Sequence, residues 1–191
     1  PFVTERDDAE RLAPFRRELE SLGVAYECGQ HTEAVFEDAA LVVASPGVAL
    51  NAPPLQSTLG HKVPVAGEME FAFPFCQSRI VAVTGTNGKT TTTELLRSLS
   101  DACGHIVALG GNNDTPFSEI VQREAQPEFI VLEVSSYQLE TAATFHPWAG
   151  VALNVTPDHL GRHGTIEHYA TVKAKLFANQ GPGDIAVLNQ D

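Results

Sequence analysis

The sequence predicts an α/β chain made of two successive units, the second built on a parallel sheet with helices on both faces. Three observations carry that prediction. From Arg79 onward four apolar segments, 80–83, 106–109, 129–132 and 151–155, alternate with helical stretches, as in consecutive strand–helix–strand units. The first of these runs directly into a glycine-bearing loop and then a helix carrying Leu95, Leu96 and Leu99. Ahead of Arg79 a shorter helix–strand rhythm occupies the chain, and the periodicity breaks between the two at residues 71–77.

In chain order, residues 9–22 read as an amphipathic helix that Gly23 ends, and 24–27 as a short strand. Residues 39–44 form an apolar strand entering Ser45-Pro46-Gly47, and a helix from Pro53 or Pro54 to residue 59 leads to a further strand at 63–66. This first unit is therefore α/β as well. Residues 71–77, rich in Phe with Pro and Cys, lack a clear period and are read as the linker. Residues 165–178 read as a helix, and the chain holds no internal repeat or low-complexity tract.

With 191 residues and 43% hydrophobic content, the chain can hold one large domain or two small ones with an ordinary packed core. The formal charge of -12, from 12 basic and 24 acidic side chains, opposes non-specific attraction to nucleic acid or an anionic membrane. An anionic ligand needs a local site. Cys28, Cys76 and Cys103 have neither metal-ligand nor redox spacing, and their odd number suits a reducing compartment, so the cytoplasm is expected. No apolar run approaches the roughly 18 residues of a membrane span, and the first ten residues lack signal-peptide character. Neither end reads as a natural boundary, since Pro1 stands where an initiator Met would and the apolar run 185–188 stops three residues before the terminus. Sequence is expected to be missing on both sides.

The loop after the first strand of the second unit is Thr84-Gly85-Thr86-Asn87-Gly88-Lys89-Thr90-Thr91. Glycines let backbone N–H groups approach phosphate oxygens, a lysine meets the outer phosphates, and a hydroxyl faces Mg²⁺. Gly85, Gly88, Lys89 and Thr90 supply these parts, although Val83 stands where the general pattern has its first Gly. A plain glycine turn before a helix is the alternative; the Lys at the helix start favours nucleotide binding.

Ligands of open parallel sheets bind outside the carboxyl ends of the strands. Strand 106–109 ends in Gly110-Gly111-Asn112-Asn113, which alone would read as a turn. Strand 129–132 ends in Glu133 followed by Val134-Ser135-Ser136-Tyr137, the apolar run plus acid that can order Mg²⁺ opposite a phosphate loop. Strand 151–155 contains Asn154 and leads to Thr156-Pro157-Asp158-His159, placing an imidazole on the same rim. A lone Glu or His in such a place is usually solvated or structural; four endings on one rim, one of them a phosphate loop, reinforce one another.

The helix at 165–178 has an apolar stripe of Ile166, Tyr169, Ala170, Leu176 and Phe177. At roughly 100° per residue, Lys173 falls within the stripe and Lys175 on the opposite, solvated face. A lysine withdrawn from water loses preference for its charged form and becomes a nucleophile, including toward CO₂. Equally compatible with the periodicity is a snorkelling lysine whose ammonium reaches water.

Gly85-Thr86-Asn87-Gly88-Lys89-Thr90-Thr91, Leu132-Glu133-Val134-Ser135-Ser136-Tyr137-Gln138-Leu139-Glu140 and Leu153-Asn154-Val155-Thr156-Pro157-Asp158-His159-Leu160 together resemble the Mur ligases. The second stretch, and Val42-Val43-Ala44-Ser45-Pro46-Gly47-Val48 upstream, resemble the MurD-type branch, so the likeness covers nearly the whole chain. It implies a three-domain, ATP-dependent amide-bond ligase that adds D-glutamate to UDP-N-acetylmuramoyl-L-alanine in peptidoglycan precursor synthesis, cytoplasmic and monomeric. Residues 1–74 then correspond to the carboxy-terminal half of a Rossmann-like domain for the UDP substrate, and 75–191 to the front of a P-loop-type central ATPase domain. The isolated chain is expected to be inactive, lacking any visible residue for the amine acceptor.

By the same resemblance, residues 85–91 hold ATP, Lys89 braces its terminal phosphates, and Thr90 and Glu133 hold one Mg²⁺. His159 and a carbamylated Lys173 serve a second Mg²⁺. Ser45, Pro46, Gly47, Asn112, Ser135 and His159 meet the UDP-muramoyl substrate. One departure stands out: after Gly111-Asn112 the family usually continues with an apolar residue and Gly, whereas this chain has Asn113-Asp114. A non-catalytic nucleotide-binding module and a related ligase such as folylpolyglutamate synthase are the competing readings.

Overall fold

A computed structural model describes every residue except 9, 61, 113, 114 and 191, and the side chains of 57 and 59 are likewise outside the description. The departure at Asn113-Asp114 thus lies outside the described residues. The chain divides into two compact units, Pro1–Val42 with Ala49–Val65, and Val43–Val48 with Ala66–Asp191.

In the first unit, strand β1 (Phe2–Glu5) pairs in parallel with β2 (Ala25–Cys28), Phe2 opposite Ala25 and Glu5 opposite Cys28. A 3₁₀ turn at Glu10–Leu12 and helix α1 (Ala13–Ser21) connect them. The helix is shorter than the apolar pattern predicts because Pro14 favours the first helical turn and fixes the start near it. Helix α2 (Glu33–Glu37) was not foreseen; it buries Phe36. Strand β3 (Val42–Ala44) keeps only the end of the predicted 39–44 run, and helix α3 (Pro53–Gly60) starts at the predicted Pro53. Strand β4 (Val65–Gly67) pairs with β3, and most of both strands belongs to the second unit.

The residues read as a linker are structured. Helix α4 (Glu68–Ala72) and a 3₁₀ turn at Phe73–Phe75 place Met69 and Ala72 in the core of the second unit. Two acids of the first turn of α4 fasten this segment. Glu68 accepts the backbone N–H of Ser118 at 2.6 Å, and Glu70 accepts the N–H groups of Ala143, Thr144 and Phe145 at 3.0, 2.7 and 3.1 Å. The apolar period fails there because the segment is short and is held by carboxylates that accept distant backbone N–H groups.

The second unit is built on a five-stranded sheet whose neighbouring strands all pair in parallel, in the order β6-β7-β5-β8-β9. Its strands are β5 (Arg79–Thr84), β6 (Val107–Gly111), β7 (Phe129–Glu133), β8 (Ala149–Ala152) and β9 (Ile185–Leu188). Helices α5 (Lys89–Ala102), α6 (Phe117–Val121), α7 (Ser136–Glu140), α8 (Leu160–His163) and α9 (Ile166–Ala174) complete it. Strand β5 is central, with Ala82 opposite both Leu132 and Gly150. The core gathers Ile80, Ala82, Ile130, Leu132, Phe117, Ile120, Phe145 and Leu176.

Two boundaries differ from the sequence reading. β6 starts one residue late, leaving Ile106 exposed. β8 lies at 149–152 rather than 151–155, because Ala149 and Gly150 carry too little apolar bulk to announce a strand, yet bulk is what the position excludes. A Cβ on Gly150 would sit 2.9 Å from the Phe177 ring. The displaced residues 153–155 leave the ladder and enter the site described below. On α5, Leu95 and Leu99 face solvent while Thr93 is the buried residue. No described helix is long and apolar enough to cross a membrane.

Candidate active site

The site forms at the carboxyl ends of β5, β6 and β7. β5 delivers a buried Thr84 to Gly85, whose φ of 156° and proximity to Leu153, 3.0 Å from a hypothetical Cβ, leave room only for glycine. Gly88, left-handed at φ 85°, caps the fourteen-residue helix α5. The first turn of that helix therefore directs its N–H groups and the positive end of its dipole toward the loop, the ordinary basis of phosphate binding. Lys89 Nζ donates to the Thr86 carbonyl at 3.1 Å, folding back over the loop. Asn154 holds the loop from outside: its Oδ1 accepts from Thr86 N and Asn87 N at 3.1 and 3.0 Å, and its Nδ2 donates to Asn87 O at 3.1 Å. Thr156 N adds a bond to Thr86 Oγ1 at 3.0 Å.

Glu133 ends β7 almost fully buried. Its two carboxylate oxygens are shared between neighbours, Oε2 accepting from Thr90 Oγ1 at 2.7 Å and Oε1 from Asn112 Nδ2 at 3.1 Å. The backbone helps, since Asn112 N donates to Glu133 O at 2.9 Å. Ser135 caps α7 in a reciprocal arrangement with Gln138, Ser135 Oγ accepting Gln138 N at 3.3 Å and Ser135 N donating to Gln138 Oε1 at 2.9 Å.

Lys173 resolves the choice left open by periodicity. It is 3% exposed, donates to Gly85 O at 2.9 Å and Thr84 Oγ1 at 3.4 Å, and stands 4.6 Å above the Tyr169 ring, so it is buried rather than snorkelling to the surface. Burial, helped by the charge of Lys89 and opposed by Asp158, lowers its pKa to about 8. Relative to an ordinary lysine at 10.5, the neutral amine at pH 7 becomes roughly 300-fold more abundant. Lys175, expected in solvent, is instead half-buried and donates to Glu140 O at 2.6 Å, because the helix tightens to 3₁₀ geometry at Lys175–Phe177 and turns the side chain back toward α7.

Gly85, Lys89, Asn112, Ser135, His159 and Lys173 together with Tyr137 and Tyr169 line a cavity of about 170 Å³, bringing six predicted residues into one place. Thr90 and Glu133 form the hydrogen-bonded pair beside Asn112. Thr86 and Asn87 are held by Asn154, and Thr91 is exposed on α5. Ser45, Pro46 and Gly47 do not line the cavity; Gly47 O accepts from Arg162. His159 has a left-handed backbone (φ 52°) at the start of α8, with Nδ1 hydrogen bonded to Tyr137 OH at 3.1 Å. Behind it His163 is buried, its Nε2 2.9 Å from Ser136 Oγ, and burial lowers its pKa.

Sequence reasoning missed Asn154 as the loop clamp, Tyr137 and Tyr169 as walls, and Arg162. Asn154 was visible as a polar residue at a strand end; the others pair with residues distant in sequence and left no local signal. Among the described residues no group of three or more His, Cys, Asp or Glu gathers as for a metal ion. The Thr90 hydroxyl and Glu133 carboxylate are hard oxygen donors that fit a hydrated Mg²⁺, which keeps most of its waters. Beside His159, an unmodified Lys173 offers only N–H donors and fits a cation only once converted to a carbamate.

A glycine loop between a buried strand and a helix, an acid at the end of the neighbouring strand and a parallel sheet define a P-loop-type nucleotide-binding α/β protein. Residues 83–191 match the family described as the Mur ligase middle domain, and the chain belongs to the Mur ligases. It is 51% identical over 174 residues to a UDP-N-acetylmuramoylalanine–D-glutamate ligase of Pelotomaculum thermopropionicum, covering 91% of this chain and 38% of that protein. A ligase of the same name from Koribacter versatilis is 42% identical over 187 residues, 96% of this chain and 41% of its own length. The chain thus spans about two fifths of these relatives. The crystal structure of MurF ligase from Thermotoga maritima in complex with ADP shares the fold, with a TM-score of 0.55 and 21% identity over 99% of this chain and 43% of that one. These likenesses agree with the resemblance carried by the three motif stretches.

Proposed function

We propose that the protein to which this chain belongs is a cytoplasmic ligase that joins D-glutamate to UDP-N-acetylmuramoyl-L-alanine with cleavage of ATP. The observation that carries the reading is the convergence of Lys89, Glu133, Ser135, His159 and Lys173 around one phosphate loop, in a chain half identical to a ligase of that name. Residues 1–74 would serve the UDP substrate and 75–191 the nucleotide. A carboxylate oxygen of the muramoyl-L-alanine attacks the γ-phosphorus, ADP leaves, and an acyl phosphate forms. The amine of D-glutamate, having lost its extra proton, attacks the acyl carbon; phosphate departs, the nitrogen gives up a second proton, and the amide remains.

Residues 85–91 would hold the nucleotide by backbone N–H groups, and Lys89, released from Thr86 O, would brace the terminal phosphates. Mg²⁺, when bound, neutralises charge developing on the transferred phosphoryl group. Thr90 and Glu133 would hold one ion, and His159 with Lys173 a second. For that role the neutral Lys173 amine adds to CO₂ and releases a proton, giving a carbamate. Ser45 to Gly47, Asn112, Ser135 and His159 would meet the UDP-muramoyl substrate.

The test is phosphate release by the full-length protein with ATP, Mg²⁺, UDP-N-acetylmuramoyl-L-alanine and D-glutamate. Release that requires both amino-acid substrates supports the reading. Tight ATP binding without turnover would instead define a non-catalytic module, and turnover with a folate in place of the UDP substrate a different ligase.

A further inference from the structure

Arg162 joins two parts of the second unit that lie more than a hundred residues apart in sequence. On one side its Nε and Nη2 donate to the Glu140 carboxylate, at 3.0 and 3.2 Å from Nε and 2.6 Å from Nη2. On the other, Nη1 donates to Gly47 O at 3.4 Å and Nη2 to Val48 O at 3.0 Å. The guanidinium also lies over the Tyr137 ring, 4.7 Å from its centroid. Both charged side chains are mostly withdrawn from solvent, 16% exposed for Arg162 and 13% for Glu140. The segment they grip is a closed turn, with Val48 N donating to Ser45 O at 2.9 Å.

A planar fork with several fixed donors can satisfy a carboxylate and two carbonyls at once, which a lysine ammonium on a flexible stem cannot. Glu140 is itself anchored, since Lys175 Nζ donates to its carbonyl. The Tyr137 ring beneath the guanidinium carries the hydroxyl bonded to His159. The turn at 45–48 is thus tied to the cavity wall through Arg162 and Tyr137, while none of these contacts touches the phosphate loop.

We propose that Arg162 is a positioning residue that fixes the 45–48 turn against the cavity, and so sets affinity for the nucleotide-sugar substrate without affecting that for ATP. This rests on the function proposed above. In the full-length protein, Arg162→Lys should weaken binding of UDP-N-acetylmuramoyl-L-alanine about tenfold by calorimetry, with ADP affinity changed less than about twofold and the melting temperature nearly retained. Glu140→Gln should give the same selective loss, and the double variant less than the product of the two, because the residues act through one contact. It also serves if the lysine variant fails to fold. Equal weakening of both ligands, or unchanged substrate binding, would overturn the inference. An unaltered protein that binds no UDP substrate would sink the proposed function as well, whereas one that binds it while the variants match it would sink only the role of Arg162.

Discussion

Asn154 clamps Asn87 from both directions, its Oδ1 accepting the Asn87 N–H at 3.0 Å while its Nδ2 donates to the Asn87 carbonyl at 3.1 Å. With the further bond to Thr86 N, one side chain fixes the outer curve of the phosphate loop before any ligand arrives. Preorganisation of this kind reduces the ordering cost of binding. Replacing Asn154 by Ala leaves the loop backbone to water, so the expected effect falls on affinity more than on folding. Three bonds worth about 1 kcal/mol each, partly recovered by solvation, predict ADP binding weaker by roughly 10-fold. Titration of the Asn154→Ala protein with ADP measures it; unchanged affinity would mean that the loop needs no clamp.

Lys173 predicts an unusual pH dependence of stability. Its folded pKa of about 8 lies below the ordinary 10.5, so between those values the unfolded chain binds more protons than the folded one. Stability contributed by this group therefore rises from pH 8 to 10.5, and below pH 8 the buried charge destabilises the fold by ~3 kcal/mol. Lys173→Met, which fills the same space without charge, should raise stability at pH 7 by about 1–3 kcal/mol and flatten the rise above pH 8. Urea unfolding at pH 7 and pH 9.5 separates the outcomes: a variant less stable at pH 7 would show that the bonds to Gly85 and Thr84 outweigh the burial of charge.

Much of this site was legible in the sequence because its parts sit where local rules apply. Gly85, Gly88 and Lys89 declare themselves by the turn between an apolar strand and a helix, and Glu133 by ending an apolar run. The stripe at 165–178 put Lys173 on the apolar face but left open whether its ammonium reached water, a choice that only its burial in the structure decides. What stayed hidden depends on partners distant in sequence. Arg162 is one charge among many until Glu140 and the carbonyls at 47 and 48 surround it. β8 was misplaced because Ala149 and Gly150 are selected by the Phe177 ring across the core, and a small residue leaves no hydrophobic signal. Residues 71–77 looked like a linker because α4 is held by carboxylates accepting backbone N–H groups, an interaction without period.

Glu70 offers the sharpest check on α4. Burial raises its pKa, but bonds from the Thr144 hydroxyl and from the N–H groups of Ala143, Thr144 and Phe145 outweigh this and hold it below the ordinary 4.5. A lowered carboxyl pKa gives stability that is complete above 4.5 and disappears as pH falls through the folded value. Glu70→Gln should cost about 1–2 kcal/mol at pH 7. The gap between the two proteins should close only once the pH falls below the lowered folded pKa, where the native side chain is also neutral. A series of thermal melts from pH 7 down into the acid unfolding range tests this, and a gap that stays constant throughout would point to packing rather than charge.

Gly111 joins β6 to the acid on β7, and its replacement tests how rigidly Glu133 is held. The two residues are register partners, Gly111 has φ 105°, and a Cβ there would lie 2.2 Å from the Glu133 carbonyl oxygen. Gly104 has φ 84° but nothing within 4 Å of its hypothetical Cβ. Alanine at 104 therefore isolates the backbone strain of a left-handed residue, about 1–2 kcal/mol. Alanine at 111 adds a collision with backbone that cannot move without shifting Glu133, so its loss should exceed that of the 104 variant by at least ~2 kcal/mol. Because Thr90 and Asn112 bond to the Glu133 carboxylate, nucleotide affinity should fall in the 111 variant and stay level in the 104 variant. Equal stability losses from the two substitutions would mean that β6 yields at its end and that the acid is not positioned by this strand.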